Sequence, residues 1–256
     1  MDTPFGIHYQ LEGAGPTLTM VHGVGAYRQS WDGVQAQLGE GFQYLSYDLR
    51  GHGSSEKTPG PYSLDGFVDD LKQLLDHVGV EHTVLVGFSL GGLVAQFFAL
   101  TYPQRVENLI LISTVAGRTE EEKIKVQQRA RRLTEEGALS HLAEAVDRWF
   151  TPSFVEKHPE VLEQRRQWSL QNDPKSYQAA YQVLANNDLV DRLHEISVPT
   201  FVMTGENDVG STPRMAKLIA DRVPDCVLHI FPELKHSVLL EAPDQVADQI
   251  KRFLMS

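Results

Sequence analysis

The chain has 256 residues, a length one α/β domain can reach, and its 34 acidic against 23 basic residues leave a net charge of −11. Nucleic-acid affinity begins with neutralising phosphates, so this acidic balance argues against a DNA or RNA partner. No apolar run nears the ~20 residues that span a bilayer, the opening MDTPFGIHYQLEG lacks the basic and apolar stretches of a leader, and the single cysteine, Cys226, has no internal partner; no membrane association and a cytoplasmic location are expected.

Residues 17–21 (TLTMV) form a short apolar run that ends in a Gly-bearing loop, and residues 44–47 (YLSY) form another that ends at Asp48 and the turn-rich LRGHGSS. Residues 64–78 place Phe67, Val68, Leu71, Leu74, Leu75 and Val78 at helical spacing. A buried strand at 83–86 (TVLV) leads into Gly87-Phe88-Ser89-Leu90-Gly91-Gly92, and an apolar helix runs from about 90 to 101, stopped before Pro103. Residues 109–112 are the next strand. Strands and helices alternating through short loops argue for a parallel sheet covered on both faces.

From about 117 to 195 strand signals vanish and helical periodicity dominates, punctuated by Pro152, Pro159 and Pro174 as helix boundaries. The basic stretch 123–132 lies among Glu120, Glu121, Glu122, Glu135 and Glu136, and reads as a solvated helix face rather than a docking patch. Strand character returns at 200–204 (TFVMT) and 227–231, with helices at about 213–223 and 243–254.

Gly87-Phe88-Ser89-Leu90-Gly91 fits G-x-S-x-G in the context that pattern requires, a strand before it and a helix after it. The serine sits at a sharp turn where glycines on either side remove colliding Cβ atoms, and its hydroxyl projects beside the N–H groups that open the following helix. A phosphate-cradle reading of Gly23-Val24-Gly25 fails, because the third glycine position is Arg28 and no G-x-x-x-x-G-K-[ST] occurs. No H-E-x-x-H or C-x-x-C spacing is present, so neither a metal nor a cofactor is expected.

These motifs together resemble the α/β-hydrolase family: the His22-Gly23 loop, the loop 48–55, the nucleophile turn, the helical stretch, and an acid and a histidine near the C-terminus. The resemblance implies an α/β-hydrolase fold with a mostly parallel central sheet flanked by helices. Its core would comprise 1–116 and 196–256, with 117–195 an inserted helical cap. Family order, Ser then acid then His, implies Ser89 as nucleophile, Asp208 as acid and His236 as base. Glu206, two residues before Asp208, is the rival acid. The oxyanion donors would be the backbone N–H groups of Val24 and Leu90. His22 and His52 read as loop architecture, and the other seven histidines as surface or structural.

The stretches 138–154 and 177–189, with the segment after Asp208, are similar to 3-oxoadipate enol-lactonases. This implies a small-molecule ester or enol-lactone substrate, in the breakdown of aromatic compounds. Arg28 and Arg148 are candidate cations for an anionic substrate, and Trp149, Trp168, Phe88 and Tyr181 candidate pocket walls. A small-acyl carboxylesterase and a C–C bond hydrolase remain alternatives, although the latter usually carries Trp after the catalytic histidine, where this chain has Ser237. A ligand receptor on a hydrolase scaffold is a further one.

Overall fold

The structure, a computed structural model, describes residues 1–255. Seven strands form one sheet: β1 (Tyr9–Gly13), β2 (Thr17–Val21), β3 (Gln43–Tyr47), β4 (Thr83–Phe88), β5 (Val106–Ile112), β6 (Thr200–Gly205) and β7 (Cys226–Phe231). Their order is β1-β3-β2-β4-β5-β6-β7, and every neighbouring pair is parallel except β1 with β3. The central strand β4 is buried throughout, as expected of a parallel strand covered on both faces.

Alternation along the strands sorts side chains to two cores. Val84 and Val86 of β4, with Ile110, Ile112, Phe201 and Met203, pack beneath α1 (Asp32–Leu38) and α11 (Pro243–Leu254). On the opposite face Leu85, Leu109, Leu111 and Val202 meet α2 (Leu64–Val78), α3 (Leu90–Thr101) and α9 (Pro213–Arg222). A short helix, α10 (Val238–Glu241), leads into α11. This is the α/β-hydrolase fold with its mostly parallel sheet flanked by helices.

Between β5 and β6 the chain runs through five helices: α4 (Glu120–Glu136), α5 (Ala138–Trp149), α6 (Pro152–Lys157), α7 (Pro159–Gln171) and α8 (Pro174–Asn186). Pro152, Pro159 and Pro174 each open a helix, where the missing N–H costs nothing and the fixed φ suits the first turn. A capping box starts α4, with Thr119 Oγ1 accepting from Glu122 N–H and the Glu122 carboxylate accepting from Thr119 N–H. Val126, Ala130 and Leu133 of α4, and Tyr177, Ala180 and Tyr181 of α8, belong to the same buried cluster as α2 and α3.

Two elements carry too weak a pattern to be read from the sequence. β1 is a half-exposed edge strand of mixed polarity, defined by its antiparallel pairing to β3. α1 has only seven residues and two apolar anchors, Val34 and Leu38. Among the described residues no helix is long and apolar enough to cross a membrane.

Candidate active site

Ser89 follows β4 at a turn with φ +54° and ψ −113°, a conformation that disfavours any side chain. Surrounding bonds enforce it. Ser89 N–H donates to Ile112 O (2.9 Å), and Ser89 O accepts from the Thr114 hydroxyl (2.9 Å) and from Gly92 N–H (3.0 Å). Space is the second requirement. A Cβ on Gly87 would lie 2.3 Å from Gly91 O, and one on Gly91 would lie 2.1 Å from Val21 O, so a side chain at either position would open the turn.

The loops after β6 and β7 are stitched together by Glu206 N–H to Phe231 O (2.9 Å) and Asn207 N–H to Leu234 O (2.8 Å). This stitching brings Asp208 Oδ2 to 2.7 Å from His236 Nδ1, and His236 Nε2 lies 3.2 Å from Ser89 Oγ. A carboxylate only accepts, so the geometry assigns the imidazole proton to Nδ1 and leaves Nε2 to accept from the serine hydroxyl. The Asp208 side chain is wholly buried, and its oxygens also accept from Gly210 N–H (2.8 Å), Ser211 N–H (2.9 Å) and the Thr204 hydroxyl (3.3 Å). Glu206 is exposed and turned away, accepting from Glu233 N–H at 3.0 Å. The structure thus brings Ser89, His236 and Asp208 into one chain of contacts and leaves the rival acid outside it.

Gly23 packs its backbone against Ser89, since a Cβ there would lie 3.1 Å from Ser89 Cβ. Among the described residues, neither Val24 N–H nor Leu90 N–H donates to a protein acceptor. The next N–H, of Gly25, does donate, to His52 Nε2 (3.0 Å).

His52 and His22 share a pattern. His52 Nδ1 faces Arg50 O (3.1 Å), His22 Nδ1 faces Gly23 O (2.7 Å), and His22 Nε2 accepts from Leu49 N–H (3.0 Å). Each imidazole therefore donates through Nδ1, accepts through Nε2, and cross-links the loop after β2 to the loop after β3. Burial, offset in part by the bond to Gly23 O, pulls His22 down to about 4. Burial and the neighbouring His22 pull His52 down to about 3. His141, which reads from the sequence as surface or structural, is buried against the edges of Tyr177 and Tyr181, and burial lowers it to about 4.

Ser89 and His236 open onto a cavity of about 550 Å³ between the sheet and α4, α5, α7 and α8. Phe88, Trp149 and Tyr181 line it, as does Arg148. Trp168 lies behind the lining, against Tyr27. Arg28 is not part of the cavity; its guanidinium bonds to Gln10 of β1. The stretch 123–132 is only in part a solvated face. Lys123 and Lys125 are exposed and paired with Glu120 and Glu121, yet Lys125 and Arg129 also line the cavity.

Arg165 and Arg118 are lining cations that sequence reasoning missed, and Arg165 is the more buried. It is 7% exposed, with its guanidinium carbon 5.0 Å from the Trp149 ring and 5.3 Å from the Trp168 ring. Burial pulls it down to about 10, while the nearby Tyr177 and Tyr27 hold it up slightly. Stacking on two indoles returns up to about 2 kcal/mol each, less than the cost of burying a charge without a counter-ion. A faint signal exists in the sequence. Adjacent Arg166 has Glu163 at helical spacing and pairs with it, whereas residues 161, 162, 168 and 169, neighbours of Arg165 on the helix, are Val, Leu, Trp and Ser.

A family model for the alpha/beta hydrolase fold matches residues 16–243. The chain belongs to the α/β-hydrolase family. This α/β-hydrolase is 30% identical over 228 residues to 3-oxoadipate enol-lactonase 2 of Acinetobacter baylyi, covering 89% of this chain and 84% of that one. Among solved structures it is similar to a thermophilic esterase from Thermogutta terrifontis (32% identity, TM-score 0.89, 97% and 93% of the two chains covered). It is also similar to the enol-lactonase from Burkholderia xenovorans (26% identity, TM-score 0.91, 98% and 96% covered).

Proposed function

We propose that this α/β-hydrolase cleaves a carboxylic ester or enol-lactone through an acyl-enzyme on Ser89. The carrying observation is the unbroken run from buried Asp208 through His236 to Ser89, with contacts of 2.7 and 3.2 Å. His236 Nε2 takes the hydroxyl proton as Ser89 Oγ bonds to the acyl carbon. The negative charge that forms on the carbonyl oxygen is met by the N–H groups of Val24 and Leu90, which have no other acceptor among the described residues. Collapse breaks the acyl carbon–oxygen bond, and His236 returns the proton to the departing oxygen. Water, deprotonated by the same imidazole, then frees the acid and restores Ser89. Asp208 holds the ring in the tautomer the first step needs and stabilises the imidazolium that forms. The helices between β5 and β6 serve as the cap that selects the acyl group.

Similarity to two enol-lactonases favours an enol-lactone substrate, formed in the breakdown of aromatic compounds, and similarity to an esterase supports small acyl esters as the second reading. In the test, the wild type and Ser89→Ala are treated with a fluorophosphonate and assayed on a muconolactone-derived enol-lactone, p-nitrophenyl acetate and a ring-fission dienoate. Labelling should fall on Ser89 and vanish in the variant, with a folded circular-dichroism spectrum retained. Labelling that persists in Ser89→Ala refutes the nucleophile, and fast ester cleavage without lactone turnover moves the substrate to the second reading.

A further inference from the structure

The cavity beside Ser89 is lined by five cationic side chains, in a protein whose net charge is −11. Four of them have acceptors within the protein. Arg118 donates to the carbonyls of Asn187 and Leu184, Lys125 pairs with Glu121, Arg129 donates to Lys125 O, and Arg148 donates to Glu144 O. Arg165, more deeply placed than Lys125, Arg129 or Arg148, has neither a hydrogen-bond acceptor nor a carboxylate among the described residues. The acids that line the same cavity are already engaged: Glu121 by Lys125, Glu122 by Arg214, and Asp208 by His236.

A buried cation that no protein group compensates needs an explanation. Packing alone is a poor one, because the two indoles around Arg165 would close equally well on an apolar side chain of similar length. They hold the guanidinium carbon at 5.0 and 5.3 Å from their rings, and a guanidinium is a planar fork of N–H donors that matches a carboxylate. The cavity that Arg165 lines also holds Ser89 and His236, so one molecule can present a carboxylate to Arg165 and a carbonyl carbon to the Ser89 hydroxyl.

We propose that Arg165 is the carboxylate-binding residue of this enzyme, and that its substrate is an ester or lactone whose carbon chain carries a second, free carboxylate. This rests on the hydrolase reading above for the reacting centre, but the anion site stands on its own geometry.

The test compares wild type, Arg165→Met and Arg165→Lys on two esters of matched length, monomethyl adipate and methyl hexanoate. The quantity read is the ratio of kcat/KM for the charged ester to that for the neutral one. It should fall about 20-fold in Arg165→Met, through KM, and recover in part in Arg165→Lys. A structural role would lower both esters together with the melting temperature and leave the ratio unchanged, and that result overturns the proposal. Should the wild type hydrolyse neither ester, the ratio has no value, and a second measurement that needs no turnover decides Arg165. Adipate titrated into Ser89→Ala at constant ionic strength should saturate a change in emission from Trp149 and Trp168, both in contact with the guanidinium. In Ser89→Ala/Arg165→Met that response should be lost. Equal titrations in the two proteins, or no saturable response in either, overturn the assignment.

Discussion

The sheet and the helical segment above it treat buried polar groups in opposite ways. Beneath Ser89 every such group with a part in the site has a fixed partner: His22 and His52 each donate and accept once, and Asp208 accepts from four donors. Above Ser89 the helices bring cations to the cavity and leave the most buried one, Arg165, without an acceptor among the described residues. The contrast separates two tasks. Bond-breaking groups need one geometry in every turnover, and a closed hydrogen-bond set supplies it. Groups that choose a substrate must keep bonding capacity for a molecule that comes and goes.

The strongest way to break this comparison is to remove the acid from the closed set. Asp208→Asn keeps size and burial but can donate to His236 Nδ1, favouring the wrong imidazole tautomer, so kcat should drop roughly 10³- to 10⁴-fold. Glu206→Gln, at the rival position, should leave kcat within about 2-fold, because its carboxylate only accepts one loop N–H. Steady-state kinetics of the pair on one ester decide the matter, and a large loss in Glu206→Gln would mean that the acid has been misplaced.

Neutral histidines in the closed set have a consequence for stability. An unfolded histidine gains its proton near 6.5, whereas the folded values are about 4 for His22 and about 3 for His52. Between these limits the unfolded chain binds protons that the native state refuses, so stability rises with pH there. The contribution is whole above about pH 6.5 and is lost as pH falls toward the folded values; at pH 5 each histidine has removed about 2 kcal/mol. Urea midpoints measured at pH 8 and pH 5 should show the fall, with a smaller difference in His52→Gln. A flat profile would show that these imidazoles are solvated, and the contrast between the two regions would lose half its basis.

How much of this was legible beforehand follows the same division. The turn around Ser89 was legible because it is local: two glycines, a strand and a helix define it within a few residues. Asp208 and His236 were legible through their order after late strands, since the parallel sheet delivers the ends of β4, β6 and β7 to one edge. Arg165 was not, because its surroundings depend on how α5 and α7 pack, which brings Trp149 of α5 up to it beside Trp168 of its own helix. The same blindness misassigned Arg28, whose guanidinium turns to β1, and took Arg129 for part of a solvated face. Helical periodicity tells which side of a helix is buried, but not whether that side meets a core or a cavity.

The smallest perturbation asks whether the two regions melt as one. Thr119 caps α4, the helix that carries Lys125 and Arg129, and Glu122 of the same capping box also bonds Arg214 at the start of α9. Thr119→Ala removes one acceptor at an exposed helix end, at a cost of about 1 kcal/mol, or a melting point lower by roughly 2–4 °C for a chain of this size. Val126, Ala130 and Leu133 of α4 share a buried cluster with α2 and α3, so calorimetry should show a single transition shifted as a whole. A separate low-temperature transition in Thr119→Ala, with the main one unmoved, would mean that the helices unfold on their own. The buried charge of Arg165 would then be held by an element able to open independently of the sheet.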